Sequence, residues 1–104
     1  MNKRQYIKKF AEYVPSASQT LSKNPSQFVV GVTPPAITRA KGVYMWGMDG
    51  KKYLDLMLGL GPMIFGYANP RIDRAVKRQI DKGVIYSLPS ILELELAQLL
   101  RKVV

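Results

Sequence analysis

Chemistry has few side chains to work with in this chain. Histidine and cysteine are both absent. That excludes zinc and thiolate metal sites, disulfides, Ser-His and Cys-His nucleophile pairs, and imidazole acid–base transfer. What remains is a surplus of cations, 16 basic residues against 7 acidic for a formal +9. One stretch is built for close approach: Leu58-Gly59-Leu60-Gly61-Pro62 places two glycines where backbone can meet a ligand or partner, then a proline that stiffens the exit.

The cations raise the question of nucleic acid or an anionic membrane surface. They are spread, however: Lys3, Arg4, Lys8 and Lys9 at the start, Lys51 and Lys52 in the middle, and Arg71, Arg74, Lys77, Arg78 and Lys82 later. No interleaving of stacking aromatics with these residues is legible, and no zinc-finger or basic-zipper spacing occurs. Solvated faces are the expected role, and nucleic acid is not an expected partner. No apolar run is long enough to span a bilayer, and charges interrupt the first apolar residues before a signal peptide could form. A cytoplasmic location is expected, consistent with the lack of cysteine.

The elements that must position the glycine loop centre on Gly42–Tyr67. Asp49-Gly50 between two β-prone runs predicts a hairpin of Val43–Met48 with Lys51–Leu56. A two-residue turn would set Met48 opposite Lys51, Trp46 opposite Tyr53 and Tyr44 opposite Asp55. Neither face is cleanly polar, and a hairpin this short is marginal alone, so both faces should pack on something. The Ile37-Thr38-Arg39-Ala40 run could add a third strand, giving an antiparallel meander.

Before the hairpin, Ile7, Phe10, Ala11 and Val14 predict a docking helix over residues 3–14, ended by Pro15. Its basic character suits a transit peptide less well, because Glu12 is present and arginine is scarce. Residues 15–35 read as an extended arm with one helical turn. After the loop, Asn69-Pro70 opens a helix with an apolar stripe of Ile72, Ala75, Val76 and Ile80, closed by Gly83. Ser90 and Glu93 form a capping box at the head of another helix, Ile91 to Val104, whose apolar face is too wide for a two-layer domain this small. The fold class is α+β: a helix and arm over residues 1–41, then a hairpin and two helices over 42–104. Ending in an apolar run, the chain reads as the opening portion of a longer protein.

Three stretches together, AKGVYMWGMDGKKYLDL, GLGPMIFGYANPRIDRAVKRQIDKG and SLPSILELELAQLL, resemble the N-terminal part of the class III, fold-type I, pyridoxal-phosphate-dependent aminotransferases. The branch is that of glutamate-1-semialdehyde 2,1-aminomutase and its relatives, and the resemblance covers about residues 20 to 104. It implies an arm and small sheet at a homodimer interface, then helices leading into the rest of the aminotransferase. The family's phosphate-binding loop, its aspartate on the pyridine nitrogen and its Schiff-base lysine lie later in the sequence. None is here, so pyridoxal phosphate belongs to the full-length family and this segment by itself is expected to be inert, with no catalytic, cofactor-binding or metal-binding residue.

The resemblance also implies a set of substrate-pocket residues: Leu60, Gly61, Ser87 and Gln27. Several depart from the aminomutase. Leu60 stands in the place of the tryptophan of G-[ST]-W-G-P. Gln27 stands for an arginine thought to receive a substrate carboxylate. Tyr67 stands where G-H is usual, and Ser87-Leu88-Pro89-Ser90 replaces G-A-P-T. A neutral amide cannot make the bidentate pair an arginine makes with a carboxylate. These departures argue against glutamate-1-semialdehyde, and the GLGP and SLP versions resemble members proposed to act on other carbonyl compounds, sugar derivatives among them. Leu60 could equally be core packing and Ser87 a helix-capping hydroxyl. Two readings of other classes stand beside this one: a stand-alone basic nucleic-acid-binding module, and a dimerisation module working through the hairpin and the last helix.

Overall fold

The computed structural model describes all 104 residues, in two compact units, Met1–Asn69 and Pro70–Val104. The first opens with helix α1 (Lys3–Tyr13), started by a capping box in which the Gln5 amide donates to Asn2 Oδ1 and the Asn2 amide to Gln5 Oε1, both at 2.9 Å. Pro15 ends it, lacking the amide a further turn would need. The arm that follows carries three 3-10 turns, Pro15–Ala17, Leu21–Lys23 and Pro25–Gln27, where the sequence suggested one. Two of the three begin on a proline, whose fixed φ favours a tight turn over extended chain.

Strands β1 (Ile37–Lys41), β2 (Tyr44–Gly47) and β3 (Lys52–Leu54) form the expected antiparallel meander in the order β1-β2-β3. Its register differs from the expectation by one residue. Tyr44 pairs with Leu54, Met45 with Tyr53 and Trp46 with Lys52. The turn has three residues, Met48-Asp49-Gly50: the Gly50 amide donates to the Gly47 carbonyl, the Gly47 amide to Lys51, and only Gly50 takes positive φ, at 74°. This is the hairpin built on a type I turn closed by a left-handed glycine, which needs one left-handed residue rather than two.

The slip exchanges partners on both faces. One face carries Arg39, Lys41, Tyr44, Trp46, Lys52 and Leu54, and the other presents Met45 and Tyr53. Gly47 is required by crowding, since a Cβ there would lie 2.6 Å from both Pro34 Cβ and Asp49 Oδ1.

In the second unit, α2 (Pro70–Ile80) begins right after Asn69, and α3 (Ile91–Val103) after the capping box of Ser90 and Glu93. The Leu92 amide donates to Ser90 Oγ at 3.2 Å and the Ser90 amide to Glu93 Oε1 at 2.8 Å. Gly83 turns left-handed (φ 96°) after α2, and the Tyr86 hydroxyl folds back to donate to the Lys82 and Gly83 carbonyls at 3.0 and 2.9 Å. No helix is long and apolar enough to cross a membrane.

Burial is sparse. Ala17 is the one buried apolar side chain, and every residue of α3 is exposed. The accessible surface is 8801 Å² for 11.7 kDa, whereas a self-contained folded chain of that mass exposes about 5,900 Å². Leu92, Leu96, Leu99 and Val103 of α3, and Val76 and Ile80 of α2, form exposed apolar stripes.

Candidate functional site

The site begins with an aspartate at the end of the sheet. Asp55 follows β3, is 6% exposed, and its amide still pairs with the Val43 carbonyl at 2.9 Å. Its Oδ1 accepts from the amides of Met57 (2.9 Å) and Leu58 (3.2 Å), and its Oδ2 from the Tyr67 hydroxyl. Tyr67 is itself fixed by a two-way backbone bridge to Gly42, both bonds 2.8 Å. Burial works against the Asp55 charge, but the Tyr67 hydroxyl and the two amides outweigh it and lower the carboxyl's pKa. The same bond, with burial and the negative charge of Asp55, pushes the Tyr67 phenol up to about 12.

This carboxylate holds down a strained loop. Leu58, Gly59, Leu60 and Gly61 take φ of 49°, 62°, 66° and 110°, four consecutive residues on the left-handed side. Glycine does this freely; leucine does it at a cost of about 1 kcal/mol each. The Asp55 bonds to the Met57 and Leu58 amides fix the entry to that run. Leu60, although strained, is 64% exposed.

The loop forms one wall of a groove of about 760 Å³ within the first unit. Ile7 and Phe10 of α1 and Val14, which caps it, line the groove, as the helical spacing expected for a docking face, together with Met45 from the inner side of the sheet. A second cluster ties α1 across it. Lys3 Nζ lies 3.2 Å from Asp49 Oδ2, the Tyr53 hydroxyl donates to the same oxygen at 2.7 Å, and Lys3 also donates to the Val32 carbonyl. The Tyr53 bond first, then Lys3 and the Lys51 amide, outweigh partial desolvation and hold the Asp49 carboxyl at about 2. Partial burial opposes the Lys3 charge, but its bonds to Asp49 and Tyr53 prevail and raise its pKa.

Of the four residues singled out from sequence, Leu60 lines the groove. Gly61 follows it in the left-handed run without lining. Gln27 ends the third 3-10 turn, whose neighbours Pro25 and Phe28 do line, so the arm and the glycine loop meet around one space. Ser87 is exposed in the second unit. The Asp55–Tyr67 pair was missed because its partners lie twelve residues apart, with no local pattern to join them. Its one legible trace was Tyr67 standing where histidine is usual.

The sheet's other face corrects an expectation. Arg39 stacks on the Trp46 ring at 3.6 Å, and Lys52 lies over Tyr44 at 3.7 Å and Trp46 at 5.7 Å. Basic and aromatic residues are interleaved after all; strand pairing brings together side chains that sequence spacing keeps apart.

A family model described as aminotransferase class-III matches residues 27–104. The chain belongs to the class-III aminotransferases. An omega-transaminase from Sphaerobacter thermophilus is similar at 25% identity and a TM-score of 0.80, over 96% of this chain and 22% of that one. The FumI protein of Sphingopyxis sp. MTA144, solved in its PLP internal aldimine form, shares the fold at 23% identity and a TM-score of 0.79, over 93% of this chain and 23% of that one. A glutamate-1-semialdehyde-aminomutase from Pseudomonas aeruginosa PAO1 does so at 22% and 0.73, over 90% and 20%. The chain thus spans about a fifth of the length of these proteins.

Pyridoxal phosphate is the cofactor of this aminotransferase family. The residues present do not make a place for it. A pyridine nitrogen needs a carboxylate oxygen to spare, and both oxygens of Asp55, the one acid on the groove, are engaged. A cofactor lysine must stand inside the pocket and give up its proton, whereas Lys3 lies off the groove and is held charged by Asp49, and Lys23, which lines the groove, is an exposed residue closing a 3-10 turn. The amides at the head of α3 are directed to Ser90 rather than open to a phosphate.

Proposed function

We propose that this chain is the N-terminal segment of a pyridoxal-phosphate-dependent aminotransferase and supplies part of its substrate-pocket wall. The observation that carries this reading is the left-handed run Leu58–Gly61 beside the groove. Stability alone asks for no leucine at a strained, exposed position, so Leu60 is better explained by what it meets than by what it packs on. Gln27 and Gly61, each next to a residue that lines the groove, are assigned to the same wall, and Ser87, exposed in the second unit, is assigned to the parent's pocket on the family resemblance. The substrate is a carbonyl compound; with Gln27 and Leu60 in place of a cation and an aromatic, a sugar derivative suits the wall better than glutamate-1-semialdehyde. The parent works as a cytoplasmic homodimer that uses the arm and hairpin as interface. Isolated, the segment is catalytically inert.

Two measurements test this. Pyridoxal phosphate added to the 104-residue chain is expected to give no lysine-adduct absorbance band of defined stoichiometry; a one-to-one band overturns inertness. In the parent enzyme, Leu60→Ala is expected to change KM for the carbonyl substrate while cofactor loading is unchanged. Unaltered KM across amino acceptors removes Leu60 from the wall.

A further inference from the structure

The outer face of the sheet carries three cations and no acid. Arg39, Lys41 and Lys52 share it with Tyr44, Trp46 and Leu54, and the ion pair Lys3–Asp49 involves none of them. Two of the cations are held in place rather than loosely solvated. The Arg39 guanidinium carbon lies 3.6 Å from the centre of the Trp46 ring, and the Lys52 ammonium lies over both that ring and Tyr44. A guanidinium stacked on a ring has its plane fixed while its edge N–H groups stay free, so part of the entropy of binding an oxyanion is already spent. Beside it runs β1, an outer strand with no neighbour on its far side. Its alternate residues Arg39 and Lys41 point to the cationic face.

The geometry points to a docking site for an extended acidic polypeptide segment that adds to the β1 edge and sets carboxylates, two residues apart, against Arg39 and Lys41. Backbone pairing supplies affinity and the alternating acids supply register. Single-stranded nucleic acid fits less well, because base stacking needs open aromatic faces and both rings here are covered by cations. The same face of a second copy fits less well too, since it would bring like charges together, so the homodimer contact proposed for the arm and hairpin lies off this face.

Trp46 is the only tryptophan in the chain, so its emission reports this face directly. The probes are a capped peptide of four Glu-Thr repeats, its Lys-Thr counterpart, and oligothymidylate of similar length. The Glu-Thr peptide is expected to shift Trp46 emission saturably, more weakly as salt rises, with no response to Lys-Thr. Lys41→Glu, at an exposed residue, and Arg39→Ala are each expected to weaken binding about tenfold, the scale of one charge-assisted hydrogen-bonded pair. Arg39→Lys falls between, keeping charge but losing the planar fork. Circular dichroism on each variant separates lost binding from lost fold. No saturable response, equal affinity in Lys41→Glu, or tighter binding of oligothymidylate overturns the proposal. So does self-association that shifts Trp46 without peptide and is lost in Lys41→Glu, which would make the occupant a second copy.

Discussion

Replacing Tyr67 with phenylalanine removes one hydroxyl and leaves the ring, and the structure says what that hydroxyl does. It donates to Asp55, a carboxylate 6% exposed whose other oxygen is taken by the Met57 and Leu58 amides. A hydrogen bond to a charged group contributes about 1.5–3 kcal/mol net, and Tyr67 is open enough for water to replace part of it, so the loss should be about 1.5 kcal/mol. For a unit of this size that is a fall of roughly 6–12 °C in Tm.

The pH dependence adds a second signature. Tyr67's pKa is raised to about 12 from the ordinary 10.0, so the folded state favours the neutral phenol. Its contribution is therefore whole below the unfolded value and is lost as pH climbs from about 10 towards 12. Absorbance titration of the six tyrosines should show one ionising late, and Tyr67→Phe should remove it. The Asp55 carboxyl is lowered, so its contribution is present at neutral pH and is lost as pH falls below the ordinary carboxylate range; in the variant this loss begins at higher pH. Identical denaturation midpoints for variant and wild type, from neutral pH through the alkaline limb, would refute the idea that Tyr67 holds Asp55 in place.

Three further outcomes follow from other contacts. Gly47→Ala should cost about 1–3 kcal/mol in chemical denaturation followed by Trp46 emission, because the new methyl meets Pro34 and Asp49 at 2.6 Å. Leu60→Gly should be neutral or stabilising by about 0.5–1 kcal/mol, since it relieves a left-handed leucine that buries little; a clear loss of stability would show that Leu60 packs after all. Lys3→Met should speed proteolysis between α1 and the sheet. The wild-type latch should loosen only in acid: Asp49's folded pKa of about 2 lies below its ordinary 3.8, so the latch is whole above the ordinary value and is lost as pH falls through about 2.

What the sequence determined by itself was where the helices start and stop. Asn2 with Gln5 and Ser90 with Glu93 start helices because a cap's partners lie three residues away. Pro15 and Gly83 end them through their own backbone restrictions. The family, too, was legible, since it rests on residue order and spacing. Tertiary structure decided the rest. Asp-Gly serves two- and three-residue turns alike, and the pairing of β2 with β3 settled on three. That register step set Lys52, rather than Tyr53, beside Trp46, while the pairing of β1 with β2 placed Arg39 there and left Met45 for the groove. Asp55 and Tyr67, the pair that pins the left-handed loop, meet only after the chain has returned to Gly42. Contacts of that kind depend on where the backbone goes, which no short window of sequence contains.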